Sequence, residues 1–435
     1  MFGAKKSYSM YEIFGVARDV PRNYAIRQRV DGGLVDALTQ NKHIVIHGSS
    51  KQGKTSLRKN TLLVSDYIYV TCSNKWSLAD LHNAILKAAG FKVEGSTVRT
   101  SSGTLKVSAT LEASARAFLV GGKGSITGEA DGTQTNEQSS APMQLDPADV
   151  NDIITALGAA DAQRFIVLED FHYLPEDTQK DFAVALKAFH ENSAYCFVII
   201  GVWLDENRLT QHNGDLLGRV VSINADKWEK HELREVMESG ADLLNIKFDD
   251  DFIDQLIAGS FDSVWIVQEV CKFACEAEGV HKTSDTKRVI GGNVDDLIRR
   301  AVDQNTARFS GFLSAFADGF QATDLQMYRW LLYAVLMSGV EELEKGLSLA
   351  TITSLINDAH PEKPVNQGNI TQALRSTSSL QTSRLDVKPI VLDYHQTARR
   401  LNVVDRSFLI WMQHQDRAEL ADELGLPWPG ETDAV

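Results

Sequence analysis

Gly48-Ser49-Ser50-Lys51-Gln52-Gly53-Lys54-Thr55 places two glycines, a lysine and a hydroxyl in the pattern G-x-x-x-x-G-K-[ST]. The octet follows the apolar run Ile44-Val45-Ile46 and opens onto a helix-compatible stretch from Ser56 to Asn60. In that context backbone N–H groups curl around phosphate oxygens at the positive end of a helix. The chemistry expected is ATP binding, with Gly48, Ser50, Gln52, Gly53 and Ser56 in the cradle. Lys54 would reach the β- and γ-phosphates, and the Thr55 hydroxyl would sit on Mg²⁺. The plain alternative is a glycine turn with a chance lysine. A second chemical element is the strand-like run Phe165-Ile166-Val167-Leu168, which ends in Glu169-Asp170. A buried strand of this kind delivers carboxylates to the edge of a sheet, beside metal and γ-phosphate. By position Glu169 would hold the Mg²⁺ shell and Asp170 would polarise the attacking water. Neighbours on a strand point to opposite faces, so the two roles would be separate. A solvated acidic strand end is the bland reading.

These residues need a parallel sheet to position them, and the chain alternates strand-like runs with amphipathic stretches as such a sheet requires. Tyr67 to Val70 and Tyr195 to Ile200 read as strands, Val220 to Ile223 as another, and Leu78 to Ala89 and Asp149 to Gly158 as helices. Between Val93 and Gly132, alternating small, polar and apolar residues with paired glycines predict inserted β-hairpins. The polar stretch from Gly132 to Pro147 predicts a mobile loop. Helical periodicity returns in Trp228–Leu244, Asp250–Ala258 and Val264–Glu278. Towards the C-terminus, helices over Asp324–Gly339, Ser348–Asn357 and Gln367–Leu380 precede a hairpin from Ile390–Tyr394 to Leu401–Asp405, which is the winged-helix order.

Composition narrows the setting. A chain of 435 residues with 43% hydrophobic content supports two to three domains with real cores. No run approaches the ~18 apolar residues of a membrane helix, and the first fifteen residues lack a signal-type apolar stretch. The expectation is a cytoplasmic protein without a membrane partner. Cys72, Cys196, Cys271 and Cys275 are few and scattered, as reduced buried thiols are. A formal charge of −14 argues against broad nucleic-acid affinity. Between Lys363 and Arg406, however, seven basic residues (Lys363, Arg375, Arg384, Lys388, Arg399, Arg400, Arg406) stand against Asp386, Asp393 and Asp405. This local excess supports a phosphate-facing surface, with Asn369, Gln372 and Arg375 on the groove-facing helix and Arg399 and Arg400 near the wing tip. A solvated face or a protein-docking module would carry the same charges.

The two acid-terminated and glycine-loop motifs, with a further strand placed between them in space, resemble the AAA+ and STAND branch of P-loop ATPases, nearest to the origin-recognition type. The similarity runs from about Tyr24 to Gly279 and extends to the winged helix. It implies an α/β fold: a P-loop NTPase parallel sheet with a helical lid, inserted β-hairpins and a C-terminal winged-helix domain. The implied divisions are an N-terminal segment (1–22), an ATPase core (23–226) carrying the insertion (93–132), a lid and linker (227–315), a winged helix (320–415) and a tail (416–435). The resemblance also implies that Arg219, just before the last core strand, is a finger reaching a neighbouring subunit's nucleotide in a homo-oligomer. Pairing with Asp215 or a sheet-end carbonyl is the alternative for that arginine. Tyr24 would stack on adenine, or equally fill a core gap. Departures from the family are the reversed order of Glu169 and Asp170, the absence of a polar residue in Gly201-Val202-Trp203, and a lid segment, Gly259 to Trp265, without an arginine. Slow turnover is expected. The implied function is an ATP-dependent switch acting on DNA, in settings such as mobile-element targeting or anti-phage defence. The alternative is a signalling scaffold that recruits a separate effector protein without touching DNA.

Overall fold

The computed structural model describes residues 6–15, 18–99, 105–111, 143–320 and 325–429. The apolar run before the glycine loop is strand β1 (His43–His47), buried at every position, as a parallel strand covered on both faces must be. The P-loop helix Lys54–Thr61 leads to β2 (Tyr67–Thr71). There follow β3 (Phe91–Arg99), β4 (Leu105–Leu111) and β5 (Met143–Leu145). The core then resumes with β6 (Phe165–Glu169), β7 (Cys196–Ile200) and β8 (Val220–Asn224).

Five of these strands form one parallel sheet in the order β2-β6-β7-β1-β8. The expected α/β P-loop sheet is therefore present, and β7 lies between the loop-bearing β1 and the acid-bearing β6. Helices Leu78–Ala88, Val150–Ala159 and Glu176–Asn192 cover one face through Ile85, Ile153, Leu186 and Phe182. Leu34 and Leu57 cover the other, against Ile46 and Val198. Each such fully buried side chain contributes roughly 1.5–3 kcal/mol, so both layers hold the sheet's carboxyl edge in place.

β3, β4 and β5 make a separate antiparallel sheet in that order, with Phe91 opposite Leu111 and Val107 opposite Leu145. The loop expected from Gly132 to Pro147 is thus corrected at its end. Met143–Leu145 is an edge strand with Leu145 buried, too short to show a period in the sequence. Residues 112–142, with the rest of the expected hairpins and loop, lie outside the described residues.

Helices Lys230–Leu244, Asp250–Gly259 and Val264–Ala277 follow the sheet. They enclose the paired strands β9 (Ile246–Phe248) and β10 (Arg288–Ile290). Ile13 and Phe14 of the N-terminal segment pack here over Gly240, where an added Cβ would meet the Phe14 ring at 2.5 Å. The same apolar cluster continues through helices Val294–Asp303, Thr306–Asp318 and Met327–Met337 into the C-terminal unit. That unit adds β11 (Leu347–Ser348), helices Leu349–Ala359 and Gln367–Arg375, and the hairpin β12 (Leu392–His395) and β13 (Arg400–Val403). Its sheet runs β11-β13-β12 and is antiparallel. The helix expected through Leu380 breaks at Ser376 and continues as a short turn and a π-helical segment, Leu380–Arg384. Within the expected tail, Arg417–Glu423 is helical, capped by Asp416, with Leu420 and Ala421 buried. Residues 430–435 lie outside the described residues.

Candidate nucleotide site

The loop between β1 and its helix takes its shape from two glycines. Gly48 has φ 145°, and a Cβ there would lie 2.8 Å from the Asp226 backbone nitrogen. Gly53 has φ 81° in the left-handed region, as the residue entering the helix. Ser50, Gln52, Gly53, Lys54, Thr55 and Ser56 line a cavity of about 510 Å³ that Glu169, Asp170 and Tyr24 also border. Gly48 is not among the lining residues. The Lys54 ammonium is buried and folded back on the loop, donating to the carbonyls of Gly48 (2.9 Å) and Ser49 (2.5 Å). Burial pulls its pKa down to about 8, against the opposing pull of Asp226, Glu169 and Asp170. A phosphate would supply the missing counter-charge.

β6 delivers Glu169 to the same edge. Its Oε1 accepts from the Thr55 hydroxyl at 2.7 Å and its Oε2 from Arg58 Nε at 3.1 Å. Asp170 is not on the strand: its φ of 59° is left-handed. Strand alternation therefore stops at Glu169, and the turn leaves both acids bordering one cavity instead of opposite faces. Burial, then the neighbouring Glu169, pushes Asp170 up to about 6, with Lys54 and Lys388 opposing. Mg²⁺ takes hard oxygen ligands, typically one or two carboxylates plus substrate phosphates. The Thr55 hydroxyl and the Glu169 carboxylate fit that donor set.

The remaining walls combine Tyr24 and Gln52 with residues the sequence did not single out. Trp228, Val264 and Trp265 also border the cavity. Tyr24 is half-buried among them, and its hydroxyl donates to Asp31 at 2.5 Å. The Gln52 side chain turns to this wall, donating to the Asp262 carbonyl at 3.0 Å, while the Gln52 backbone carbonyl accepts from Trp228 Nε1 at 3.4 Å. The Lys51 ammonium lies 3.7 Å from the Trp265 ring centre. Asp226 Oδ1 accepts from the Ser49 N–H at 2.7 Å. All these partners lie far along the chain from the loop, so no spacing pointed to them.

Arg219 is elsewhere. Its carbonyl accepts from His43 N–H at the opposite end of β1, and its guanidinium pairs with Glu191 at 2.9 Å and with the Asp215 carbonyl. Within one chain it does not meet the loop. In the C-terminal unit, Asn369, Gln372 and Arg375 share a helix, with Gln372 and Arg375 exposed. Arg375 borders a cleft shared with Arg208 and His172 of the core. Arg399 is exposed at the hairpin turn with φ 53°. The Arg400 guanidinium instead donates to the Gly346 carbonyl at 2.6 Å, holding the hairpin to the rest of the unit.

The C-terminal unit reaches the loop directly. Ser50 N–H donates to the Val404 carbonyl at 2.8 Å. Arg406 donates to Asp226 Oδ2 at 2.7 Å and to the Phe261 carbonyl at 2.8 Å. Burial works against the charge on Asp226, yet Arg406 and the Ser49 N–H hold its carboxyl below the usual range. Val202, just beyond β7, packs with Ile390 and Val404.

No protein-family model matches the chain, and no curated protein matches it. Solved structures do. The Walker-type ATPase PABY2304 of Pyrococcus abyssi aligns with a TM-score of 0.57 at 10% identity, over 92% of this chain and 99% of its own. Two Aeropyrum pernix proteins align at lower scores. Orc1, in complex with DNA, has a TM-score of 0.44 at 12% identity over 97% and 98% of the two chains. Orc2, as ADPNP-ADP complexes, has 0.43 at 14% over 94% and 98%. At such identities the first likeness speaks for the fold alone: the chain has the fold of a Walker-type P-loop ATPase.

Proposed function

We propose that the protein is an ATP-dependent switch that binds Mg·ATP at the Gly48–Thr55 loop, hydrolyses it slowly, assembles with copies of itself and engages DNA through its C-terminal unit. The observation that carries the reading is the wiring of the loop itself: Ser49 and Ser50 give their N–H groups to Asp226 and Val404, and Asp226 is held by Arg406. A loop that must reorganise around phosphate therefore pulls on the C-terminal unit. Lys54 leaves its own loop carbonyls for the phosphates, and Thr55 and Glu169 hold Mg²⁺. The ion, when bound, neutralises charge developing on the transferred phosphoryl group. Asp170 accepts the proton of the attacking water. Arg219, at the end of β1 away from the loop, would serve a second copy's site and not its own. For DNA, the reading draws on the helix–strand–helix–helix–hairpin order of a winged helix and on Arg375, whose guanidinium makes no hydrogen bond or ion pair among the described residues. Roles in mobile-element control or anti-phage defence would suit such a switch.

Binding of a non-hydrolysable ATP analogue and of duplex DNA, measured side by side on the full chain, tests this. Lys54→Ala removes two charge-assisted bonds to phosphate and should weaken nucleotide binding by about 3 kcal/mol, on the order of 100-fold. DNA retention that depends on the analogue should fall with it, and Arg375→Ala with Arg399→Ala should flatten the salt dependence of the remainder. Arg400 is left intact because it supports the hairpin. Unchanged nucleotide affinity in Lys54→Ala sinks the site. Nucleotide binding without any DNA retention at low salt favours the protein-recruiting scaffold.

A further inference from the structure

We propose that Arg58 is the residue that positions Glu169 for the metal, an inference that rests on the reading of Thr55 and Glu169 as the Mg²⁺ pair. Arg58 follows Lys54 by one helical turn and so emerges on the same face of the P-loop helix. Its side chain is only 4% exposed. Nε donates to Glu169 Oε2 at 3.1 Å and Nη1 donates to the Tyr67 hydroxyl. The guanidinium carbon lies 5.3 Å from the Tyr67 ring centre and 4.8 Å from that of Tyr69. The arginine is thereby clamped between aromatic rings on β2 and an acid on β6, neighbours in the sheet.

The arrangement divides the carboxylate between two partners. Oε1 belongs to the Thr55 hydroxyl and Oε2 to Arg58, and two fixed oxygens set the plane of the group. A buried charge with one partner removed is strongly disfavoured where it stands. Without Arg58, Glu169 is free to rotate off Thr55, and the oxygen pair that suits a cation is lost. Groups that orient metal ligands in this way typically change metal affinity by 10–100-fold when removed. Arginine is suited to the place because its rigid planar fork sets separate nitrogens towards acid and phenol and lies against the aromatic rings, whereas a lysine offers one compact ammonium on a flexible stem. A residue that merely ties the helix to the sheet would affect stability alone.

A fluorescent, non-hydrolysable ATP analogue titrated onto the full chain over a Mg²⁺ series, and again in EDTA, separates these roles. Arg58→Ala should raise the Mg²⁺ concentration for half-maximal binding by roughly 10–100-fold, with affinity in EDTA unchanged. Arg58→Lys should shift it less, and Tyr67→Phe, which removes only the anchoring hydroxyl, should shift it least and in the same direction. These two milder variants carry the test if the alanine variant does not fold. Variants that melt earlier but keep the wild-type Mg²⁺ requirement overturn the proposal and leave Arg58 a packing residue. Wild-type protein that binds the analogue equally well with and without Mg²⁺ removes the metal assignment beneath it, a result distinct from any variant's failure.

Discussion

His43 joins three elements through one neutral ring. Its Nδ1 accepts from the Phe197 N–H at 3.1 Å, and Nε2 donates to the Leu186 carbonyl at 2.9 Å. A second proton would set Nδ1–H against the Phe197 N–H. Burial pulls the pKa to about 4, the Leu186 carbonyl opposing, from about 6.5 in an unfolded chain. The folded pKa is depressed, so the contribution of this histidine to stability is complete above pH 6.5 and is lost as pH falls towards 4. At pH 5 the loss is on the order of 2 kcal/mol. His82, buried and bonded to the Pro147 carbonyl at 2.8 Å, also sits at about 4 and acts in the same direction. Urea unfolding at pH 7.5 and pH 5 should show the drop. His43→Leu strands two backbone groups and should be less stable at pH 7.5, yet lose less on acidification. An unaltered pH slope in that variant would place the acid sensitivity in other groups.

The segment after β7 departs from the family pattern. Gly201-Val202-Trp203 offers no polar group, and the structure gives it a packing role. The Gly201 N–H closes onto the Ile46 carbonyl at 3.1 Å, and Trp203 is fully buried with its ring 6.4 Å from that of Phe171. A Cβ on Gly201 would fall 1.6 Å from the Trp203 ring. Gly201→Ala must therefore expel the indole or bend the turn, and a loss of about 3 kcal/mol is expected from equilibrium unfolding. Gly214→Ala, with open space around it, serves as a near-neutral control. An unfolding midpoint for Gly201→Ala equal to that of the control would show that the indole yields freely. Elements with a strong local period were legible in the sequence. The run Cys196–Ile200 is a strand buried throughout, and Lys230–Leu244 and Val264–Ala277 fall within two residues of the helices their apolar spacing predicts. What escaped depends on distant partners. The break after Arg375 is one case: Gln381 accepts from Val391 N–H and donates to the Leu392 carbonyl, both at 2.7 Å, so the chain is shaped by the hairpin instead of by helical propensity. The left-handed Asp170 is another, and Asp226, 177 positions from the loop nitrogen it holds, is a third.

Across the whole molecule, the lid helices and the C-terminal unit share one apolar cluster, whereas the sheet has its own on each face. The lid and C-terminal unit are therefore expected to act together, meeting the sheet through a set of polar contacts and the small apolar cluster of Val202, Ile390 and Val404. Arg406 joins Asp226 at the loop to the Phe261 carbonyl in the lid, and Arg208–Asp393 (3.2 Å) is a second polar tie between the sheet domain and the C-terminal unit, while Arg308–Asp405 (2.7 Å) secures the linker helix to that unit. Asp226 in turn holds the Ser49 N–H, so one carboxylate spans the phosphate loop and the C-terminal unit. If nucleotide occupancy is transmitted through this carboxylate, Arg406→Ala should free the loop and speed release of a bound fluorescent nucleotide. Asp226→Asn, which keeps an oxygen for Ser49 but drops the charge, should act in the same direction. Because both changes sever one connection, the double variant should release nucleotide little faster than either single variant, with a coupling of about 1–3 kcal/mol in a double-mutant cycle. Proteolysis near β12 and β13 should rise in parallel, since the unit loses its hold on the sheet. Strictly additive release rates would mean that the ion pair braces the interface without conveying the state of the loop, and the switch would then have to run through the loop's other contacts, the Ser50–Val404 backbone bond and those of Lys51 and Gln52 with the lid.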